Sequence, residues 1–149
     1  MILGGLFAVF AKSNDVTEIR VSIRRDVDIV LACQKGRVLA EQLGMPGNDQ
    51  AVIVIAISEV ARNIINYADY GEIVLSSFGW NGRQGLSIVA RDEGPGILDI
   101  ERALQEGHST GGGLGLGLAG AKRLMDEFKV LSQPGRGTTI MMKKWSRDG

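Results

Sequence analysis

The chain has 149 residues, one domain by length, and a domain of that size buries about 68–70% of its unfolded surface without a disulfide or metal staple. Its 17 basic and 17 acidic residues cancel to a formal net charge of zero, which argues against non-specific nucleic-acid binding. A single cysteine, Cys33, and a single histidine, His108, exclude a disulfide framework, a CxxC zinc site and a His–His metal site.

Residues 1–16 form an apolar arm, and its first eleven residues carry no charged side chain. That run is shorter than the roughly 20 apolar residues needed to span a bilayer, and it lacks the basic start of a signal peptide. The expectation is a cytosolic protein with no membrane partner. An extra edge strand, a packing arm and a start-site artefact all remain open for the arm.

Residues 17–149 read as one domain. Residues 17–24 alternate polar and apolar, the period of a strand. Residues 26–43 follow the helical period, with Val27, Val30, Leu31, Val38 and Leu39 as the apolar face and a half-buried, inert Cys33 without a basic neighbour. Gly44-Met-Pro-Gly47 ends that helix, and Asn48 is the expected cap of a second one reaching about residue 68.

Residues 72–79 and 85–91 are β-rich runs around Asn81-Gly82, a strong hairpin signal. A glycine-rich stretch follows, with a short helix expected near 100–106 and a longer one over 116–127. Residues 129–133 and 138–144 close the chain as a hairpin around Pro134-Gly-Arg-Gly137. The basic end, Lys143-Lys144-Trp145-Ser146-Arg147, reads as a solvated strand end rather than a binding patch. The order predicts an α+β fold, a two-layer sandwich with a mostly antiparallel sheet and helices on one face.

Four short patterns carry chemistry. On the second helix Glu59 and Asn63 stand four residues apart and share a face that Asn66 continues. Taken alone, that stripe also reads as a solvated face on which Arg62 pairs with Glu59 or Asn66. Next, Asp92-Glu-Gly-Pro-Gly-Ile97 puts a carboxylate at a strand end, with two glycines that let a flat ligand approach the backbone. An ordinary strand-to-loop turn has the same composition.

Third, Gly107-His-Ser-Thr-Gly-Gly-Gly-Leu-Gly-Leu-Gly-Leu118 can turn backbone N–H groups toward phosphates. Gly115, Gly117 and Gly120 fit the dinucleotide fingerprint, but no strand runs directly into them and no βαβ unit surrounds them. P-loop and eukaryotic-type kinase motifs are absent. The last pattern, Gly135-Arg-Gly-Thr-Thr139, is on its own an ordinary tight turn.

In that order the four patterns resemble the N, G1, G2 and G3 boxes of the GHKL (Bergerat) superfamily, across about residues 17–145. The details are similar to the RsbT-type serine/threonine switch kinases of the stressosome, notably Ser58-Glu-Val-Ala-Arg-Asn63 and Lys122-Arg-Leu-Met-Asp-Glu-Phe128. His108 stands where an aromatic residue is expected, and Asn66 where many histidine kinases carry lysine. The resemblance implies a histidine-kinase-like ATPase fold and a kinase using ATP and Mg²⁺. It implies Asn63 as the Mg²⁺ ligand and Glu59 as the base for the incoming hydroxyl. Asp92 would bind the adenine amine with Thr138 helping through a water, and Gly94, Gly96 and Ile97 would border the base. Gly113, Gly115 and Gly117 would form a lid over the phosphates, with Arg62, Asn66, Ser109, Thr110, Leu114 and Leu116 as further nucleotide contacts.

The implied partners are STAS-domain substrates and a serine phosphatase activated by binding, with no nucleic acid and no membrane. Two other readings stay open. One is an anti-sigma factor of the same fold; the other is a non-kinase nucleotide module or orphan histidine-kinase domain, though no helix with an acceptor histidine precedes the domain.

Overall fold

The computed structural model describes residues 18–97, 104 and 117–146. The apolar arm, the expected helix near 100–106 apart from Leu104 in a turn, and Arg147 lie outside the described residues. The elements are β1 (Glu18–Ile23), α1 (Asp26–Gln42), α2 (Gly47–Ala68), β2 (Gly71–Trp80), β3 (Arg83–Asp92), α3 (Gly117–Leu124), β4 (Glu127–Gln133) and β5 (Gly137–Trp145). The strands form one sheet in the order β1-β2-β3-β5-β4, and every neighbouring pair is antiparallel.

Strand alternation sets which side of the sheet is covered. Val21, Ile23, Ile73, Leu75, Leu86, Ile88, Ala90, Ile140 and Met142 are buried, and the residues between them point to the other side. They meet Ile53, Ala56, Ile57, Val60, Ala61 and Ile64 of α2 in a single core. By length and composition the 22-residue α2 could cross a bilayer, with a mean hydropathy of 1.4 over an 18-residue window. Here those apolar side chains fill the space between the sheet and α1 instead. The helix starts at Gly47 after an N-cap at Pro46, so Asn48 lies inside its first turn rather than capping it.

The apolar face expected for α1 is mostly the wrong one. Val27, Val30, Leu31 and Val38 are exposed, and of the expected five only Leu39 is buried. The inward face is Ile29, Ala32, Gly36, Leu39 and Ala40. A Cβ on Gly36 would collide with Ile57, so the small residues face inward because α1 lies close on α2. At the head of α1, the Asp28 carboxylate accepts the N–H groups of Arg24 and Arg25 at 2.9 and 3.0 Å. Those two bonds hold it below its ordinary value of 3.8.

The β2–β3 connection is two residues long, with Asn81 at φ 59° and Gly82 at φ 82°, the double positive φ of a type I′ turn. The helix expected to run to 127 ends at Leu124. Asp126 breaks it: its N–H bonds the Lys143 carbonyl at 2.9 Å and its carboxylate accepts the Trp145 N–H at 2.7 Å. The basic end of β5, expected to be solvated, is so only in part, with Lys143 exposed at its side chain. Lys144 is buried, donating to the Leu124 carbonyl at 3.4 Å beside Asp126, and Lys143 lies over the Phe78 ring.

Candidate active site

The last residue of β3 organises the site. Asp92 pairs with Gly71 on β2 and with Thr138 on β5. Its carboxylate accepts the Gly94 N–H at 2.9 Å and also the backbone N–H of Thr138. Burial pushes the carboxyl above its ordinary value of 3.8, while the two N–H donors pull the other way. An ionised carboxylate there has acceptor capacity left and no proton to give, so it selects a donor such as an amine.

The loop after Asp92 is held from both sides. A Cβ on Gly94 would stand 2.7 Å from the Ala68 Cβ and 3.0 Å from the Tyr67 carbonyl, so this loop lies directly on the end of α2. Gly96 has φ +83°, and a Cβ there would meet the Gln133 carbonyl on the β4–β5 side. Ile97, half-buried, donates its N–H to the Ser132 hydroxyl at 2.7 Å. That hydroxyl is 2.9 Å from the buried Thr138 hydroxyl.

From the end of α2 a stripe runs back along the helix. Asn66 is exposed, Asn63 half-buried, and Glu59 only 4% exposed. At about 1.5 Å of rise per residue, Asn63 lies about 8 Å and Glu59 about 14 Å along the axis from Ala68. Along the helix axis Asn63 thus lies between Glu59 and the Asp92 loop, which packs on the end of α2. A wholly solvated face fits Asn66 alone.

Arg62 reaches across to α1. Its Nη1 donates to Asp26 Oδ1 at 3.0 Å, across the cleft between α1 and α2. Cys33 lines the same cleft, and its thiol donates weakly to the Val54 carbonyl at 3.6 Å. Burial pushes that thiol above its ordinary 9.0, which keeps it inert. It does have a basic neighbour, Arg37, whose charge pulls the other way.

Gly117 opens α3 with φ 58°, and Leu118 behind it is buried. Ser109, Thr110, Gly113, Leu114, Gly115 and Leu116 lie outside the described residues. The structure adds one residue that the patterns missed. Ser132 joins the loop at Ile97 to Thr138, and its only trace in the sequence is its place a few residues before Gly135-Arg-Gly-Thr138.

Residues 24–144 match the model of the histidine kinase-like ATPase domain. The serine/threonine-protein kinase RsbT of Bacillus subtilis is 51% identical over 127 residues, which cover 85% of this chain and 96% of RsbT. An anti-sigma F factor of Caldanaerobacter subterraneus is 33% identical over 112 residues, covering 71% and 77% of the two chains. A crystal structure of the RsbU and RsbW domains of a Mycobacterium tuberculosis protein superposes with TM-score 0.58 at 21% identity. That match covers 90% of this chain and 33% of the longer one, and it bears out the two-layer α+β fold. The chain belongs to the histidine kinase-like ATPase family, and within it to the RsbT-type serine/threonine-protein kinases.

Proposed function

We propose that this kinase transfers the γ-phosphoryl group of ATP to a serine or threonine hydroxyl of a STAS-domain partner, and that phosphorylation switches which partner it holds. A serine phosphatase activated by the released kinase completes the switch, in the cytoplasm. The observation that carries the reading is the order along α2: the Asp92 loop packed on its end, then Asn63, then Glu59. A half-buried acceptor stands at one end, and a buried carboxylate lies two to three helical turns further along α2.

The donor set suits the ligands. Asp92 accepts from the adenine amine, Thr138 helps through a water, and Gly94, Gly96 and Ile97 lie along the base. Asn63 offers a hard amide oxygen, which suits an ion that keeps most of its ligands as water and phosphate oxygens. Magnesium, when bound, would neutralise phosphate charge.

Glu59 takes the proton of the incoming hydroxyl. The hydroxyl oxygen bonds to the γ-phosphorus, the bond to the β–γ bridging oxygen breaks, and ADP leaves with that electron pair. The remaining work is positioning and electrostatic, as phosphoryl transfer requires.

The test is incubation with labelled ATP, Mg²⁺ and candidate STAS-domain proteins, followed by phosphosite mapping. Label on one serine or threonine of a STAS domain supports the proposal. Capture of a sigma subunit in a pull-down, with or without STAS phosphorylation, would favour the anti-sigma reading instead.

A further inference from the structure

Ser132 makes more contacts than one hydroxyl can satisfy in any arbitrary arrangement. Its oxygen lies 2.7 Å from the Ile97 N, 3.2 Å from the Gly137 carbonyl oxygen and 2.9 Å from Thr138 Oγ1. A serine hydroxyl has one proton to donate and two lone pairs to accept with. The Ile97 N–H can only donate and the Gly137 carbonyl can only accept. All three contacts are hydrogen bonds only if Ser132 donates to Gly137 and Thr138 donates to Ser132. The reverse arrangement, with Ser132 donating to Thr138, leaves the Gly137 contact without a proton.

The favoured arrangement has a consequence for Thr138. Its one proton is turned inward, so the hydroxyl presents only lone pairs to a ligand. Thr138 is the cross-strand partner of Asp92, whose carboxylate is likewise an acceptor. Two acceptors side by side, the carboxylate directly and the Thr138 hydroxyl through the water it holds, match an exocyclic amine better than a carbonyl oxygen in the same place.

We propose that Ser132 is a positioning residue for nucleotide specificity: it fixes the polarity of the Thr138 hydroxyl, so that the site accepts an amine-bearing purine and rejects a carbonyl-bearing one. This rests on the reading that Asp92 and Thr138 face the base. Without Ser132, the Thr138 proton is free to turn outward and donate to a carbonyl.

Inosine triphosphate is the probe, because it differs from ATP only at the edge of the base that carries the amine, with a carbonyl in place of the amine and a proton on the neighbouring ring nitrogen. Dissociation constants for both nucleotides are measured by calorimetry on the wild-type protein, Ser132→Ala and Ser132→Thr. The wild type should prefer ATP. Ser132→Ala should narrow that preference by roughly three- to tenfold, the factor of one hydrogen bond. Ser132→Thr keeps the hydroxyl and should restore it.

Equal losses for both nucleotides in Ser132→Ala would mean simple loosening of the loop and would overturn the proposal. A second measurement covers the case of a poorly folded Ser132→Ala. Thr138→Val keeps Ser132 and removes the hydroxyl it controls, so it too should narrow the preference for ATP, and an unchanged ratio contradicts the proposal. A wild type that binds neither nucleotide would overturn the base-pocket reading itself, and this proposal with it.

Discussion

Asp92 and Thr138 stand opposite each other across β3 and β5, and the Thr138 backbone donates a hydrogen bond into the Asp92 carboxylate. Burial raises that carboxyl above 3.8 despite two N–H donors. A carboxyl raised in the folded state holds its proton more tightly there than in the unfolded chain. It therefore opposes folding above its folded value, and this opposition disappears as pH falls through that value. Nucleotide binding runs the other way, because protonation removes an acceptor from the adenine amine. ATP affinity should weaken on acidification, beginning above the ordinary carboxylate value. Asp92→Asn should bind ATP more weakly by about 1.5–3 kcal/mol and lose that pH dependence. Calorimetry across pH checks both, and unchanged affinity in Asp92→Asn removes the residue from the site.

The Arg62–Asp26 pair joins α1 to α2, but the Asp26 side chain is 77% exposed. Solvent screening limits such a pair to about 0–1 kcal/mol. Asp26→Asn should lower the unfolding free energy read from urea titration by no more than that, and a larger loss would show that the pair anchors α1.

Asn63→Ala should abolish Mg²⁺-dependent transfer while the melting temperature changes little, since the side chain is half-buried and outside the apolar core. A wild-type rate in this variant, measured over a Mg²⁺ titration, excludes Asn63 as the metal ligand.

Much of this architecture was legible in the chain. Alternation marked the strands, Asn81-Gly82 marked the hairpin, and the spacing of Glu59 to Asn63 marked one face of α2. Periodicity failed on α1, where apolar residues lie on both sides and the inward side is made of small ones, Ala32, Gly36 and Ala40. Close approach of two helices chooses between such faces, and a local pattern does not contain it. Ser132 was invisible for a related reason. A lone serine in a strand has no signal, and its meaning comes from Ile97, 35 residues away. Asp26, which Arg62 bonds across the two helices, is 36 residues distant, beyond the reach of local spacing.

Glu59 separates catalysis from binding, because a general base acts only when a hydroxyl arrives. It is buried on α2, one turn before Asn63. A general base contributes about 10²–10⁴-fold in rate, roughly 3–5 kcal/mol of barrier. The measurement is single-turnover phosphorylation of the STAS-domain partner by Glu59→Gln with ATP already bound. Normal ATP affinity with transfer slowed at least about a hundredfold is the predicted result. A rate within a fewfold of the wild type would contradict the account and leave Glu59 a structural residue of the helix.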